Sequence, residues 1–205
     1  MNRFLILLSS ISFAIFNLSC GGAQSSTAGQ NASVPTSNLS VDSPSPTNSG
    51  APVNSDSIPA TATSMDYVRQ GTAAYVAHDF ARAIPPYEKA LDLEKKDRRL
   101  DRKVWLVLVD NLAMAYGLTD NIKGSLSVLE YGISKEPTYP MFYYHKACGY
   151  GENGDEENAL KYLRLAAKYK AYMIPGENYP DPSTDNSFRK FADSDKFKKE
   201  LASLK

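Results

Sequence analysis

The chain has 205 residues and carries 23 Lys or Arg against 23 Asp or Glu, so its formal net charge is zero. This balance excludes a general nucleic-acid binder, because phosphate contacts require a clear basic excess. All 13 tyrosines follow residue 66, whereas residues 21–63 contain no aromatic side chain and no Lys or Arg. The part that can fold is therefore residues 64–205, which is long enough for one modest core.

Residues 1–19 have the pattern of an export signal peptide. Arg3 precedes an apolar run over residues 4–18, which four polar residues interrupt. A membrane-spanning helix needs roughly 20 apolar residues, so this run is too short and too polar for a comfortable span. We therefore expect the protein to be exported.

The signal ends in Leu18-Ser19-Cys20-Gly21, which resembles the lipobox of bacterial lipoproteins, although Asn17 stands where that family usually has a large aliphatic residue. The resemblance implies that Cys20 is acylated and anchors the protein to a membrane, on its periplasmic or its surface side. Gly21 in place of Asp favours the outer membrane over the inner. The alternatives are an ordinary signal cleaved among residues 19–23, which would give a secreted product, and an uncleaved anchor.

A linker rich in Ser, Thr, Pro, Ala, Gly and Asn follows Cys20 and extends to residue 63. It has too few large apolar residues to offset chain entropy by burial, so we expect it to be disordered. A flexible coil of this length has a mean reach on the order of 35 Å. The linker would let the folded part search a volume above the membrane.

Side-chain size and polarity repeat along the folded part at two separations, 42 and then 34 residues, which differ by an insertion of eight. The five columns that share these separations are Gly71, Ala113 and Ala147; Ala83, Ser125 and Ala159; Tyr87, Leu129 and Leu163; Ala90, Gly132 and Ala166; and Asp79, Asn121 and Asp155. Agreement across five columns indicates three copies of one structural unit.

The 34-residue period with these small residues resembles the tetratricopeptide repeat (TPR), most clearly in residues 112–116 (Leu-Ala-Met-Ala-Tyr) and the closing Pro137. The resemblance implies an all-α fold, a TPR-like stack of three helical hairpins over residues 64–173. The repeats would span about 64–97, 106–139 and 140–173. Residues 174–205 would form C-terminal capping helices over the third hairpin, because a repeat stack needs a lid.

Several packing details follow from the columns. Small residues predict close helix crossings, with Gly71 against Ala83 and Ala147 against Ala159. The polar column predicts caps at the start of each second helix. The Pro-Pro pair at residues 85–86 predicts a kink or a shifted helix start. The eight inserted residues, 96–103, predict longer flanking helices, and the charged segment 94–103 is either a solvated helix end or a docking patch for an anionic partner.

The sequence offers no recognisable catalytic chemistry. His78 and His145 occupy different places in the repeat, no metal-ligand spacing appears, and there is no phosphate-binding loop or nucleophile elbow. Cys148 has no disulfide partner once Cys20 is acylated, and we predict that its side chain is buried. We therefore expect no enzyme, no cofactor, no metal and no small-molecule substrate.

In TPR proteins ligands usually lie in the concave groove that the first helices line. The repeat register places the following residues there: Val68, Thr72, Tyr75, Asp110, Asn111, Met114, Met141, Tyr144 and Cys148. Such an apolar, aromatic and methionine-containing groove suits a helical or extended peptide. The resemblance implies a non-catalytic adaptor that binds a protein or peptide partner, for example in envelope complex assembly. The alternative is a structural envelope protein that self-associates and has no peptide ligand.

Overall fold

A computed structural model describes residues 61–204 of the protein, and this part of the chain contains helices and connecting turns but no strand. The α-helices are α1 (Ser64–Val76), α2 (Phe80–Lys96), α3 (Arg102–Leu118), α4 (Ile122–Lys135), α5 (Pro140–Glu152), α6 (Glu156–Lys168) and α7 (Asp195–Ser203), with 3-10 helices at Lys170–Tyr172 and Asn186–Phe191. The expected all-α class is confirmed for this part. The predicted signal peptide, Cys20 and nearly all of the linker lie outside the described residues.

The first six helices form a packed stack of hairpins. Each helix packs against the next one along the chain, and α1 also contacts α3, as α3 does α5. Three residues join α1 to α2, α3 to α4 and α5 to α6, so the two helices of each pair run antiparallel. Helices α1, α3 and α5 therefore share one layer, which we call the inner layer.

The three hairpins close with the same turn. Each turn has a residue of positive φ, namely His78, Asp120 and Gly154. The next residue caps the following helix with its side chain: Asp79 accepts from the Arg82 amide, Asn121 from the Gly124 amide and Asp155 from the Asn158 amide. Its own amide donates to a carbonyl five residues back, in the pattern of a Schellman motif. The turns thus repeat at the separations read from the sequence, and the predicted caps are confirmed.

The eight inserted residues lengthen α2 and α3, the two helices that flank the connection between the first and the second hairpin. Helices α2 and α3 have 17 residues each, whereas α1, α5 and α6 have 13 and α4 has 14. The Pro-Pro pair lies inside α2, yet α2 begins at Phe80, directly after its cap. Of the two predicted alternatives, a kink or a shifted helix start, the shifted start does not occur, because the Asp79 cap fixes the start of α2 a turn and a half before the prolines.

Glycine is required where α1 meets the ring of Tyr87. A Cβ at Gly71 would lie 2.5 Å from that ring, and Tyr87 is fully buried. The close approach that the sequence assigned to Gly71 and Ala83 is thus set by the tyrosine ring of α2. Gly132 has the same role further along, because a Cβ there would meet both Phe142 and Val109.

The charged segment 94–103 forms a hydrogen-bonded junction between the first two hairpins. Glu94 is only 4% exposed, and its carboxylate accepts hydrogen bonds from the Ser64 hydroxyl at 2.5 Å and from the amides of Arg99 and Leu100 at 3.0 Å. Arg98 and Arg102 both bind Glu136, each at 2.9 Å. These bonds tie the start of α1 and the end of α4 to the same connection, which favours the structural reading of this segment.

After α6 the chain crosses α5 before it ends. Ile174 is buried in the cluster that the first two hairpins share, while Phe188, Phe191 and Phe197 pack with residues of α5 and α6. The 3-10 helix Asn186–Phe191 lies on α5, and α7 lies on α6. Within residues 61–204, no helix combines the length and the apolar character needed to cross a membrane.

Candidate partner-binding face

The nine residues that the sequence assigned to a groove lie on α1, α3 and α5, which the structure brings into one layer. Val68, Tyr75 and Tyr144 are buried there. These three side chains belong to the core of the stack, and an incoming partner would find little of their surface. Thr72, Asn111, Met114 and Met141 are partly exposed.

A chain of hydrogen bonds joins the first three helices beneath this layer. The Tyr87 hydroxyl donates to Thr72 Oγ1 at 3.1 Å and accepts from Asn111 Nδ2 at 3.2 Å. Burial raises the pKa of Tyr87, and the two hydrogen bonds partly offset that rise. The amide of Asn111 is therefore already held by a residue of the neighbouring hairpin.

His145 forms a largely covered pair with Asp110, which sequence reasoning missed because it found no ligand cluster near either histidine. Nδ1 of His145 lies 2.7 Å from Oδ1 of Asp110, and the two side chains are 12% and 15% exposed. Burial lowers the pKa of His145, but the charges of Asp110, Asp185 and Glu177 and the hydrogen bond outweigh it, so the pKa is raised overall. An acidic residue on an otherwise apolar helix was the signal that could have revealed the pair.

The segment between α6 and the second 3-10 helix brings two carboxylates onto α5. Glu177 accepts from the Tyr139 hydroxyl at 3.0 Å, and Asp185 accepts from the Tyr144 hydroxyl at 2.9 Å. Burial raises the pKa of Glu177, and it also raises the pKa of both tyrosines. The ring of Tyr179 meets that of Tyr144 edge-on, 5.7 Å between centroids.

Cys148 is covered by the same segment. Its thiol lies 3.7 Å from Asp185 Oδ2, and burial together with that carboxylate raises the thiol pKa well above its usual range. A thiol in this state has little thiolate character and is a poor nucleophile. Cys148 and Tyr144 therefore face the protein's own chain rather than an open groove.

The inner layer is thus divided into two parts. The face of α5 lies under residues 174–188, whereas α1 and α3 keep a partly exposed surface. We call this surface the open face, and it consists of Thr72, Asn111, Met114 and, at its border with α5, Met141. Its polar groups are the amide of Asn111 and the hydroxyl of Thr72, and its apolar groups are the side chains of two flexible methionines. This composition suits contact with a peptide better than it suits catalysis.

No metal site accompanies this face. Among residues 61–204, no group of three or more His, Cys, Asp or Glu is arranged to hold a metal ion. No protein-family model and no curated protein matches the chain.

Proposed function

We propose that the protein is a TPR-like lipoprotein adaptor, which binds another protein through the open face and performs no catalysis. The three identical turns, together with the contacts of α1 with α3 and of α3 with α5, support the TPR-like assignment. In that architecture the first helices line the surface that holds the ligand.

The observation that carries the proposal is the contrast between the two parts of the inner layer. The face of α5 is covered by the protein's own chain, while Asn111 and Met114 on α3 and Thr72 on α1 remain accessible beside it. Methionine side chains adapt to partners of different shape, and Oδ1 of Asn111, which takes no part in the bond from Nδ2 to Tyr87, can accept from the backbone of an extended peptide. A short helical or extended segment is the partner that this surface fits.

The cellular location rests on the N-terminal sequence. We propose that the protein is exported and held by acyl chains on Cys20, at the outer membrane rather than the inner, because of Gly21. Replacement of Cys20 by Ala should abolish metabolic labelling with palmitate. Labelling that persists in this variant would remove the anchor from the proposal.

The binding role is tested by in-cell photocrosslinking from a photoreactive residue at Met114. We expect a discrete crosslinked product that mass spectrometry identifies as another protein, and no such product from the matched position Lys89, which is exposed on α2. Equal crosslinking from both positions would show that the open face is not the contact surface.

The alternative proposal, self-association without a peptide ligand, makes a separate prediction. A self-associating protein changes its mass with concentration, which size-exclusion chromatography with light scattering measures directly. A monomer at all concentrations would leave the adaptor as the remaining reading.

A further inference from the structure

Lysines that form no ion pair occur at both ends of the described stack. In the first two hairpins, arginines pair with nearby carboxylates, as Arg98 and Arg102 do with Glu136, and the lysines without an ion pair are Lys89, Lys96, Lys103, Lys123 and Lys135. Beyond residue 160, the lysines of the described chain without an ion pair are Lys161, Lys168, Lys170, Lys190, Lys196, Lys198 and Lys199. The C-terminal end differs in that several of these cations lie on two adjacent helices, α6 and α7.

Helix α7 lies alongside α6 and runs in the same direction. The Ser194 hydroxyl, before the start of α7, bonds Glu156 at the start of α6. Further along both helices, Arg164 Nε bonds Glu200 Oε2 at 2.8 Å. Two bonds at corresponding heights fix the two helices side by side.

This alignment gathers cations around the bond between Arg164 and Glu200. Lys161 and Lys168 lie one turn before and one turn after Arg164, so they share its face of α6. On α7, Lys196 precedes Glu200 by one turn and Lys199 is adjacent to it. The hydrogen bond from Arg164 lowers the pKa of Glu200, and the charges of Lys196 and Lys199 act in the same direction.

We call this set of five cations, Lys161, Arg164, Lys168, Lys196 and Lys199, the basic face. The acidic residues beside these cations are Glu200, Glu157, whose charge acts on Arg164, and Asp195, one turn before Lys199 on α7. Five cations against three carboxylates leave a net positive surface. Four of the five side chains are exposed lysines on two helices, and lysine is a flexible point charge, so they suit a diffuse negative surface better than one shaped anion.

An exposed aromatic side chain stands beside this charge. Tyr172, in the 3-10 helix that follows α6, is 56% exposed, the largest exposure among the bulky aromatic residues described. Lys168 lies over the neighbouring ring of Tyr169, 5.1 Å from its centroid. Tyrosine next to lysine is the combination that proteins place at the headgroup level of a bilayer.

We propose that the basic face, with Tyr172 at its edge, docks on the surface of a membrane that contains anionic phospholipids. The inference rests in part on the proposed anchor, because acyl chains on Cys20 and a linker with a reach on the order of 35 Å would keep this face close to the bilayer. Docking by the C-terminal end would leave the open face, on the first two hairpins, free for a partner.

The test is co-sedimentation of the full-length chain, carrying Cys20→Ser, with vesicles of phosphatidylcholine alone or with 30% phosphatidylglycerol. Vesicles of phosphatidylcholine alone report any apolar binding by the N-terminal signal. We expect binding to increase with phosphatidylglycerol and to fall as NaCl is raised. Each lysine near an anionic surface contributes a factor of about five, so Lys161→Gln, Lys168→Gln and Lys199→Gln together should weaken the phosphatidylglycerol-dependent binding about a hundredfold.

A matched variant with Lys89→Gln, Lys96→Gln and Lys123→Gln removes the same charge from exposed positions of the first two hairpins, and it should bind like the parent. Equal losses in both triple variants, or no dependence on phosphatidylglycerol, would overturn the proposal. Binding to soluble polyglutamate as strong as to the vesicles would also overturn it, in favour of an acidic protein partner. A failure of palmitate labelling would remove the anchor but would leave the vesicle result unaffected.

Discussion

Asp110 on α3 and His145 on α5 are joined by a 2.7 Å hydrogen bond between Oδ1 and Nδ1, and this bond links the second hairpin to the third. The carboxylates that face the imidazole besides Asp110 are Glu177 and Asp185, both from the segment that crosses α5. A protonated His145 therefore attracts three carboxylates from two different parts of the chain.

The first prediction concerns the pH dependence of stability. The folded-state pKa of His145 is raised above its ordinary value of about 6.5, so its contribution is fully present below that pH. As pH rises from about 6.5 through the folded-state pKa, the folded protein loses a proton that it held more tightly than the unfolded chain did. The free energy of unfolding should therefore fall over this range.

Denaturant titrations at several pH values measure this effect. In the Asp110→Asn variant the free energy of unfolding should depend less on pH over the same range. The imidazole titration itself can be followed by NMR, because His78→Asn leaves His145 as the only histidine in the chain. An NMR-derived pKa for His145 below 6.5 would contradict the prediction.

The second prediction concerns the close packing of α1. Gly71→Ala places a Cβ 2.5 Å from the Tyr87 ring, whose hydroxyl is held by hydrogen bonds to Thr72 and Asn111. We expect a loss of about 1–3 kcal/mol in the free energy of unfolding, because the ring cannot move aside without strain. Gly117→Ala is the matched control, since its nearest neighbour is 3.8 Å away and a helical alanine is favoured by about 1 kcal/mol. A higher free energy of unfolding for Gly71→Ala than for the parent would show that the Tyr87 ring can move aside, and it would contradict the prediction.

The third prediction concerns the buried carboxylate of Glu94. Glu94→Gln keeps the shape but removes the charge that accepts hydrogen bonds from the Ser64 hydroxyl and from the backbone amides of Arg99 and Leu100. We expect a cost of about 1–3 kcal/mol, because hydrogen bonds to a buried carboxylate are stronger than those to a neutral amide. Glu157→Gln, at an exposed position of α6, should change stability by less than about 0.5 kcal/mol. Equal stabilities of the two variants in urea would contradict the buried role of Glu94.

The fourth prediction concerns the C-terminal lid. Phe188 is buried against Tyr144 and Phe197, with its ring close to Gly151. Phe188→Ala should cost about 3–5 kcal/mol, because the cavity opens in the core of the third hairpin. Tyr172→Ala removes a similar ring from an exposed position and should cost little. In hydrogen-exchange measurements, amide protection should fall first in α5 and in the 3-10 helix that lies on it. An equal fall in protection across all helices would argue against a local effect.

The hairpin repeat could be predicted from sequence because its determinants are local. The polar cap and the small residues recur at fixed distances along one chain, and each acts within its own hairpin or on the next one. Gly71, Asp79 and Asn121 show this: each has the same role in the structure as its column predicted, even though the partner of Gly71 is Tyr87.

The path of residues 174–188 could not be predicted in the same way. The sequence indicated C-terminal capping helices, but it contained no sign that Glu177 would bond Tyr139, directly before α5, or that Asp185 would bond Tyr144 within it. Those contacts join residues about 40 positions apart without any repeat relationship, and they depend on where Ile174 is buried. For the same reason the groove was predicted over all three hairpins, whereas the third is covered.

The identical closing turns have a consequence for how such a chain can change in length. Because each hairpin completes its own hydrogen bonds at residues 78–79, 120–121 and 154–155, a whole unit could be duplicated or deleted without breaking another turn. The longer helices α2 and α3 restrict the positions at which a hairpin could be duplicated or deleted. A copy of the 34-residue unit would match its neighbours next to the third hairpin, but between the first two it would meet partners a turn too long.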